Sequence, residues 1–176
     1  TEVGLIEANN GEFVREWSTL VNPGISIPPM IQSLTGISNE MVASAPSFEE
    51  IARELWLALE GRVLVAHNAR FDYGFLKNEF RRLGKSFSAP VLCTVKLSRK
   101  LFPQFQRHNL DSLMSRHDIR CDARHRALGD ARVLWHLAQA WREAPGEAAV
   151  IEATAKLLKT ATVPTGLPDD TYAHIP

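Results

Sequence analysis

Apolar and polar positions alternate along "VGLIEA" (residues 3–8) and again along "EFVREWSTLV" (residues 12–21), the period of half-buried strands. The intervening "NNG" predicts a hairpin turn between two neighbouring strands. "NPGISIPP" reads as a loop, because its prolines and glycine oppose regular structure. Beyond it the period changes to 3.6. Ser47 is placed to cap a helix whose apolar positions are Phe48, Ile51, Leu55 and Leu59. "VLVA" predicts a buried strand, residues 69–83 a helix ending at Gly84, and "VLCT" a short strand followed by a helix to about Leu101. Three more helices are expected over residues 109–116, 126–142 and 147–160. A hairpin followed by strands separated by helices specifies an α/β fold with a mixed sheet.

Composition narrows the class. A chain of 176 residues that is 45% apolar and 23% charged is long enough for one substantial core and has the usage of a globular domain. No apolar run approaches the roughly 20 residues a membrane span needs, and no signal-peptide pattern opens the chain. Cys93 and Cys121 form neither a CxxC nor a disulfide framework, so a reducing, cytoplasmic setting is expected.

The net charge of zero conceals a strong asymmetry. Residues 1–61 carry 2 basic against 9 acidic side chains, whereas residues 62–132 carry 15 against 6. The basic middle segment suits a surface that meets a polyanion, although solvated helix faces bearing Lys77, Arg81, Arg82 and Lys85 account for the same count.

Two carboxylates stand out because they lie on apolar stripes. In "HNARFD" (residues 67–72) Asp72 follows a strand, and on the predicted helix it lines up with Leu76, Phe80 and Leu83. A first-turn Asp is also favoured by the helix dipole alone, and Asn68 reads as the helix cap. In "RHRALGDARVLWHLAQAW" Asp130 lines up with Leu134, Leu137 and Trp141 in the same way. His125 stands five residues before Asp130, which on one continuous helix would put the two about 140° apart. Only a His125 in the loop before that helix can turn toward the cleft of Asp130.

Taken together these residues resemble the DnaQ-like 3′–5′ exonucleases of the subclass with a catalytic histidine (DEDDh), the family of the DNA polymerase III epsilon subunit. Asn68-x-x-Phe71-Asp72 is similar to the family's second motif, and His125-x-x-x-x-Asp130 to its third. "SLTGIS" (residues 33–38) is similar to the segment that packs against the 3′-terminal nucleotide, and "HNLDSL" (residues 108–113) to the helix between the second and third motifs. The resemblance runs over about residues 2–142, taken as the exonuclease domain, with a C-terminal helix at 143–160 and a linker or tail at 161–176. "GLPDDTYAHIP" also resembles the approach to a GIY-YIG endonuclease domain.

The resemblance implies a ribonuclease H-like mixed sheet flanked by helices and a two-ion site for Mg²⁺ or Mn²⁺. It assigns Asp72 and Asp130 as metal ligands and His125 as the general base that takes a proton from the attacking water. The expected activity is removal of nucleoside 5′-monophosphates from a single-stranded 3′ end, DNA rather than RNA, in proofreading or repair beside a polymerase or repair partner. Substrate contacts fall on Leu34, Thr35, Gly36, Ile37, Asn68 and Phe71, with Phe71 open to a core role instead, and on Arg70, Arg124 and Arg126 for phosphates. One departure stands out: the family's first motif, an Asp-x-Glu on a preceding strand, should lie upstream of "TEVGLIEA", and Glu2 and Glu7 do not replace it. A missing or displaced sheet edge and weak metal binding are therefore expected of these residues. Three other readings stay open: a non-catalytic nucleic-acid-binding module of the same fold, a 3′–5′ exoribonuclease, and a zinc site on His108, His117, Cys121 and His125.

Overall fold

A computed structural model describes residues 1–159 of the chain; the linker expected over 161–176, and its resemblance to the approach to a second nuclease domain, lie outside them. The elements follow the order β1 (Glu2–Asn9), β2 (Glu12–Leu20), α1 (Pro29–Thr35), α2 (Asn39–Ala43), α3 (Phe48–Leu59), β3 (Leu64–Ala66), α4 (Arg70–Arg82), β4 (Val91–Cys93), α5 (Thr94–Leu101), α6 (Leu110–Arg116), α7 (Ala127–Trp141) and α8 (Glu147–Lys159).

The hairpin forms where the alternation placed it. Asn10 and Gly11 both take left-handed φ, 51° and 80°, which is what a two-residue turn matching the twist of its strands demands. Ser47 caps α3 in a reciprocal box: its hydroxyl accepts from the Glu50 backbone while the Glu50 carboxylate accepts from the Ser47 backbone. The short helices α1 and α2 were not expected. α1 starts at Pro29, inside the stretch read as loop, because a proline in the first helical turn gives up a hydrogen bond that turn cannot make anyway.

The strands do not form one mixed sheet. β1 pairs antiparallel with β2, and β3 pairs parallel with β4, as two separate two-stranded sheets. Among the described residues every strand has a partner on one side only. Two-stranded sheets are marginal by themselves. Here side chains join them: Val3, Leu5 and Trp17 of the hairpin pack with Leu64 and Val91 of the parallel pair around Leu55, Tyr73, Phe80 and Phe87. The fully buried Phe80 ring meets Phe48, Trp56 and Phe87, each with centroids 5.2 Å away.

A second core cluster joins α5, α6, α7 and α8 through Leu97, Leu110, Leu113, Val133, Leu137, Trp141 and Ala153. After the break at residues 142–146, α8 packs against α5 and β4. α7 also lies directly on β1. A Cβ on Gly4 would stand 2.3 Å from the Leu128 backbone nitrogen, so only glycine allows this approach. Among the described residues no helix is long and apolar enough to cross a membrane.

Candidate active site

Three junctions between elements carry the polar residues singled out above. The first is the turn from β3 into α4. Asn68 adopts a left-handed φ of 62°, which asparagine tolerates better than most residues. It does not cap α4 through its side chain; its carbonyl accepts the Phe71 N–H at 2.9 Å, and no side chain caps this helix. Asp72 occupies the first turn of α4. Burial raises its carboxyl above the ordinary value; its own backbone N–H opposes this, and the negative charge of Asp130 adds a smaller rise.

His67 at the same turn is tied to the start of α5. Its Nδ1 lies 2.9 Å from the Thr94 hydroxyl, which in turn donates to the Ala66 carbonyl. With that hydroxyl proton committed, Nδ1 must carry the imidazole's hydrogen, leaving Nε2 an acceptor. Burial lowers the His67 pKa, and the positive charge of Arg124 lowers it further, with Asp130 and Asp111 opposing. His67, Arg124, Asp111, Asp130 and Asp72 form one electrostatic neighbourhood.

The second junction is the turn that enters α7. His125 lies in that turn and not on the helix, with a left-handed φ of 65° and an exposed side chain. Its backbone N–H donates to Asp130 Oδ1 at 3.3 Å. The turn folds tightly over the first helical residues: a Cβ on Gly129 would stand 2.1 Å from the Ala123 carbonyl oxygen. The five-residue spacing is therefore bridged by a loop, as a shared cleft requires.

The third junction joins β1 to α7. Glu2 accepts from Arg126 Nε and Nη2 at 3.0 and 2.8 Å and from the Ala127 N–H at 2.7 Å, capping α7 from another element. Sequence reasoning had set Glu2 aside as a poor metal ligand. Its part is to fix the residue that follows His125. Asp111 was also passed over, although the helix holding it was noted; its Oδ1 accepts from Arg124 Nε at 2.8 Å.

Other expected residues fall differently. Arg124 and Arg126, read as phosphate binders, are engaged with carboxylates here. Phe71 is 62% exposed and meets Phe75 edge-on at 4.8 Å, so it is not a core aromatic. In the 33–38 segment Leu34 and Gly36 are exposed, while Ile37 is buried with Ile27 and Val42 and has no surface to offer a nucleotide. Among the described residues no hydrogen bond or ion pair joins residues 34–37 to Asp72, His125 or Asp130. The zinc alternative dissolves on contact with the fold. His108 engages Ser98 and the Phe105 carbonyl through its two ring nitrogens, and His117 accepts from the Trp141 indole at 3.0 Å.

The donors suit a hard divalent ion only in part. Asp72 and Asp130 supply carboxylate oxygens, and the guanidinium on Asp130 stands where a cation is favoured. Among the described residues no group of three or more His, Cys, Asp or Glu side chains converges to hold an ion.

The α/β fold thus sets one carboxylate at the start of each of two helices, with a histidine in the turn before the second. The profile described as RNase_T, Exonuclease, matches residues 1–138, and the chain belongs to that exonuclease family, as the DnaQ-like motifs implied. It is 42% identical over 135 residues to a 3′–5′ exonuclease DinG from Bacillus subtilis, covering 75% of this chain and 14% of the relative. It is 43% identical over 133 residues to a DNA polymerase III subunit epsilon-like protein from Rhodobacter capsulatus, covering 73% of this chain and 19% of the relative. The chain thus spans less than a quarter of either relative's length. A solved structure of exonuclease X in complex with 5′ overhanging duplex DNA superposes with a TM-score of 0.67 and 25% identity over 89% of each chain. The fold is ribonuclease H-like.

Proposed function

We propose that this chain is the exonuclease domain of a metal-dependent 3′–5′ exonuclease that releases nucleoside 5′-monophosphates from single-stranded 3′ ends, with DNA as its substrate. What supports the reading is the placing of Asp72 and Asp130 in the first turns of α4 and α7, beside a turn that ties the His125 backbone to Asp130. Asp72 and Asp130 would hold Mg²⁺ or Mn²⁺, which supplies charge neutralisation at the reacting phosphate and a more acidic water.

The chain's own groups do the rest. His125, exposed on its turn, accepts the proton of the attacking water as general base. Phe71 offers an uncovered ring to a terminal base, and Leu34 and Gly36 are open to the sugar or base. The basic balance of residues 62–132 favours approach of the polyanion. Among the described residues β1 pairs on one side only, so a strand bearing the Asp-x-Glu pair that a full two-ion site needs would pair on its other side, beside Val3–Ile6. The name of the epsilon-like relative supports a DNA polymerase as partner.

The test uses a 5′-labelled single-stranded oligonucleotide with Mn²⁺, on protein that includes any natural residues upstream of Thr1. A ladder of products shortened from the 3′ end, lost in Asp130→Asn, is the expected result. Intact DNA beside a degraded RNA oligonucleotide would move the substrate to RNA, and no degradation of either would leave a binding module.

A further inference from the structure

Phe105, in the loop between α5 and α6, carries a ring that is clamped yet uncovered. The residue is 42% exposed. The Arg116 guanidinium lies 3.8 Å from its ring centroid and covers one face, and Phe102 flanks it at 6.4 Å. The backbone beneath the ring is tied at several points. The Phe105 N–H donates to the Phe102 carbonyl at 3.2 Å, and the Phe105 carbonyl accepts from Nε2 of the buried His108 at 2.9 Å. Arg116 Nη2 donates to the Arg107 carbonyl at 2.8 Å and fastens the same loop to α6. A ring fixed in this way has little freedom left to lose when a second flat group covers its open face.

The ring belongs to an open groove of about 540 Å³ that Arg107, Asp111 and Arg116 also line. Arg107 is exposed, and among the described residues no hydrogen bond or ion pair engages its side chain. The acidic side chain in the groove is already compensated, because Asp111 Oδ1 accepts from Arg124 Nε at 2.8 Å. Arg124 Nη1 also lies 2.5 Å from Asp130 Oδ1, so a single arginine joins the groove to the candidate active site. Residues 94–126, which contain the groove, carry 8 basic against 3 acidic side chains.

An open aromatic face beside an unpaired guanidinium is the donor set for a base and its phosphate. An acidic peptide would use the arginine and leave the ring idle. Resting on the nucleic-acid reading above, we propose that this groove binds the body of a single strand whose 3′ end lies in the active site, with a base stacked on Phe105 and a phosphate on Arg107. Arg116 props the ring from behind, and Asp111, held by Arg124, marks where the groove meets the site.

The probe is a fluorescein-labelled single strand of about a dozen thymidines, bound to the full chain in EDTA and followed by anisotropy, so that hydrolysis does not enter. Phe105→Ala should weaken binding about tenfold, the scale of one stacked base. Phe105→Leu, which keeps apolar packing but has no ring, should do the same and serves if the alanine variant does not fold. Arg107→Gln should weaken binding about threefold and reduce the salt dependence by about one counterion. On an abasic strand of equal length the Phe105 effect should vanish while the Arg107 effect persists.

Wild-type affinity in both Phe105 variants overturns the platform, as does an equal Phe105 effect on abasic and thymidine strands. Tighter binding of polyglutamate than of the strand would assign the groove to an acidic peptide and overturn it too. Degradation of the same strand with Mn²⁺ separates this proposal from the exonuclease reading. Affinity lost in the variants of a chain that degrades no strand supports the groove and removes the activity, whereas a chain that degrades DNA while its variants bind as wild type removes the groove alone.

Discussion

The carboxylate of Glu2 grips the guanidinium of Arg126 through two hydrogen bonds, across a sequence separation of 124 residues. A third bond, from the Ala127 N–H, makes Glu2 the cap of α7, so the first strand sets where the His125 turn ends and the helix starts. Glu2→Ala removes all three and leaves a part-buried arginine without its partner. It should cost about 1–3 kcal/mol in urea unfolding and lower exonuclease activity without abolishing it.

His125→Ala addresses the chemistry without touching the core. The side chain is exposed and only its backbone bonds to Asp130, so the melting temperature should hold. Turnover on single-stranded DNA should fall by about 10²–10⁴-fold, the scale of a lost general base. Wild-type turnover in the variant would remove the imidazole from catalysis.

Asp72 offers a pH-dependent signature. Its carboxyl is raised above the ordinary value in the folded protein, by burial first and then by Asp130. A raised carboxyl favours folding fully below its unfolded value, and that contribution disappears as pH rises through the folded value. At neutral pH the ionised group therefore weighs against the fold. Asp72→Asn should be more stable than wild type at neutral pH, and the advantage should shrink to nothing on acidification below the ordinary carboxylate range. Thermal melts across that range check the sign, while the same variant should lose nuclease activity.

Phe71 separates binding from folding. Because its ring is largely exposed, Phe71→Ala should leave stability within about 0.5 kcal/mol. Loss of a base-stacking ring is worth about 1–3 kcal/mol, which should appear as a raised KM for oligonucleotides. Steady-state kinetics and a urea titration of the same preparation read both effects.

Local chemistry made much of this molecule legible. Ser47 with Glu50, the Asn10–Gly11 turn and the apolar stripes through Phe80 and Leu137 are decided within a few residues, and the corresponding elements appear where expected. α1 was hidden because Pro28 and Pro29 read as breakers, although a proline at a helix start is favourable. The split into two sheets was beyond a sequence reading, since strand pairing is settled by partners distant along the chain. The same holds at the site. Asp72, His125 and Asp130 fall in recognisable motifs, whereas the Glu2–Arg126 clamp and the Arg124 bridge are long-range or loop-borne and leave no periodic trace.

The division of the strands into two separate pairs puts the burden of holding them together on side chains. Among the described residues no shared ladder of backbone bonds ties the hairpin to the parallel pair, so the aromatic cluster around Phe80 acts as the seam, and shortening that one ring would loosen both pairs together.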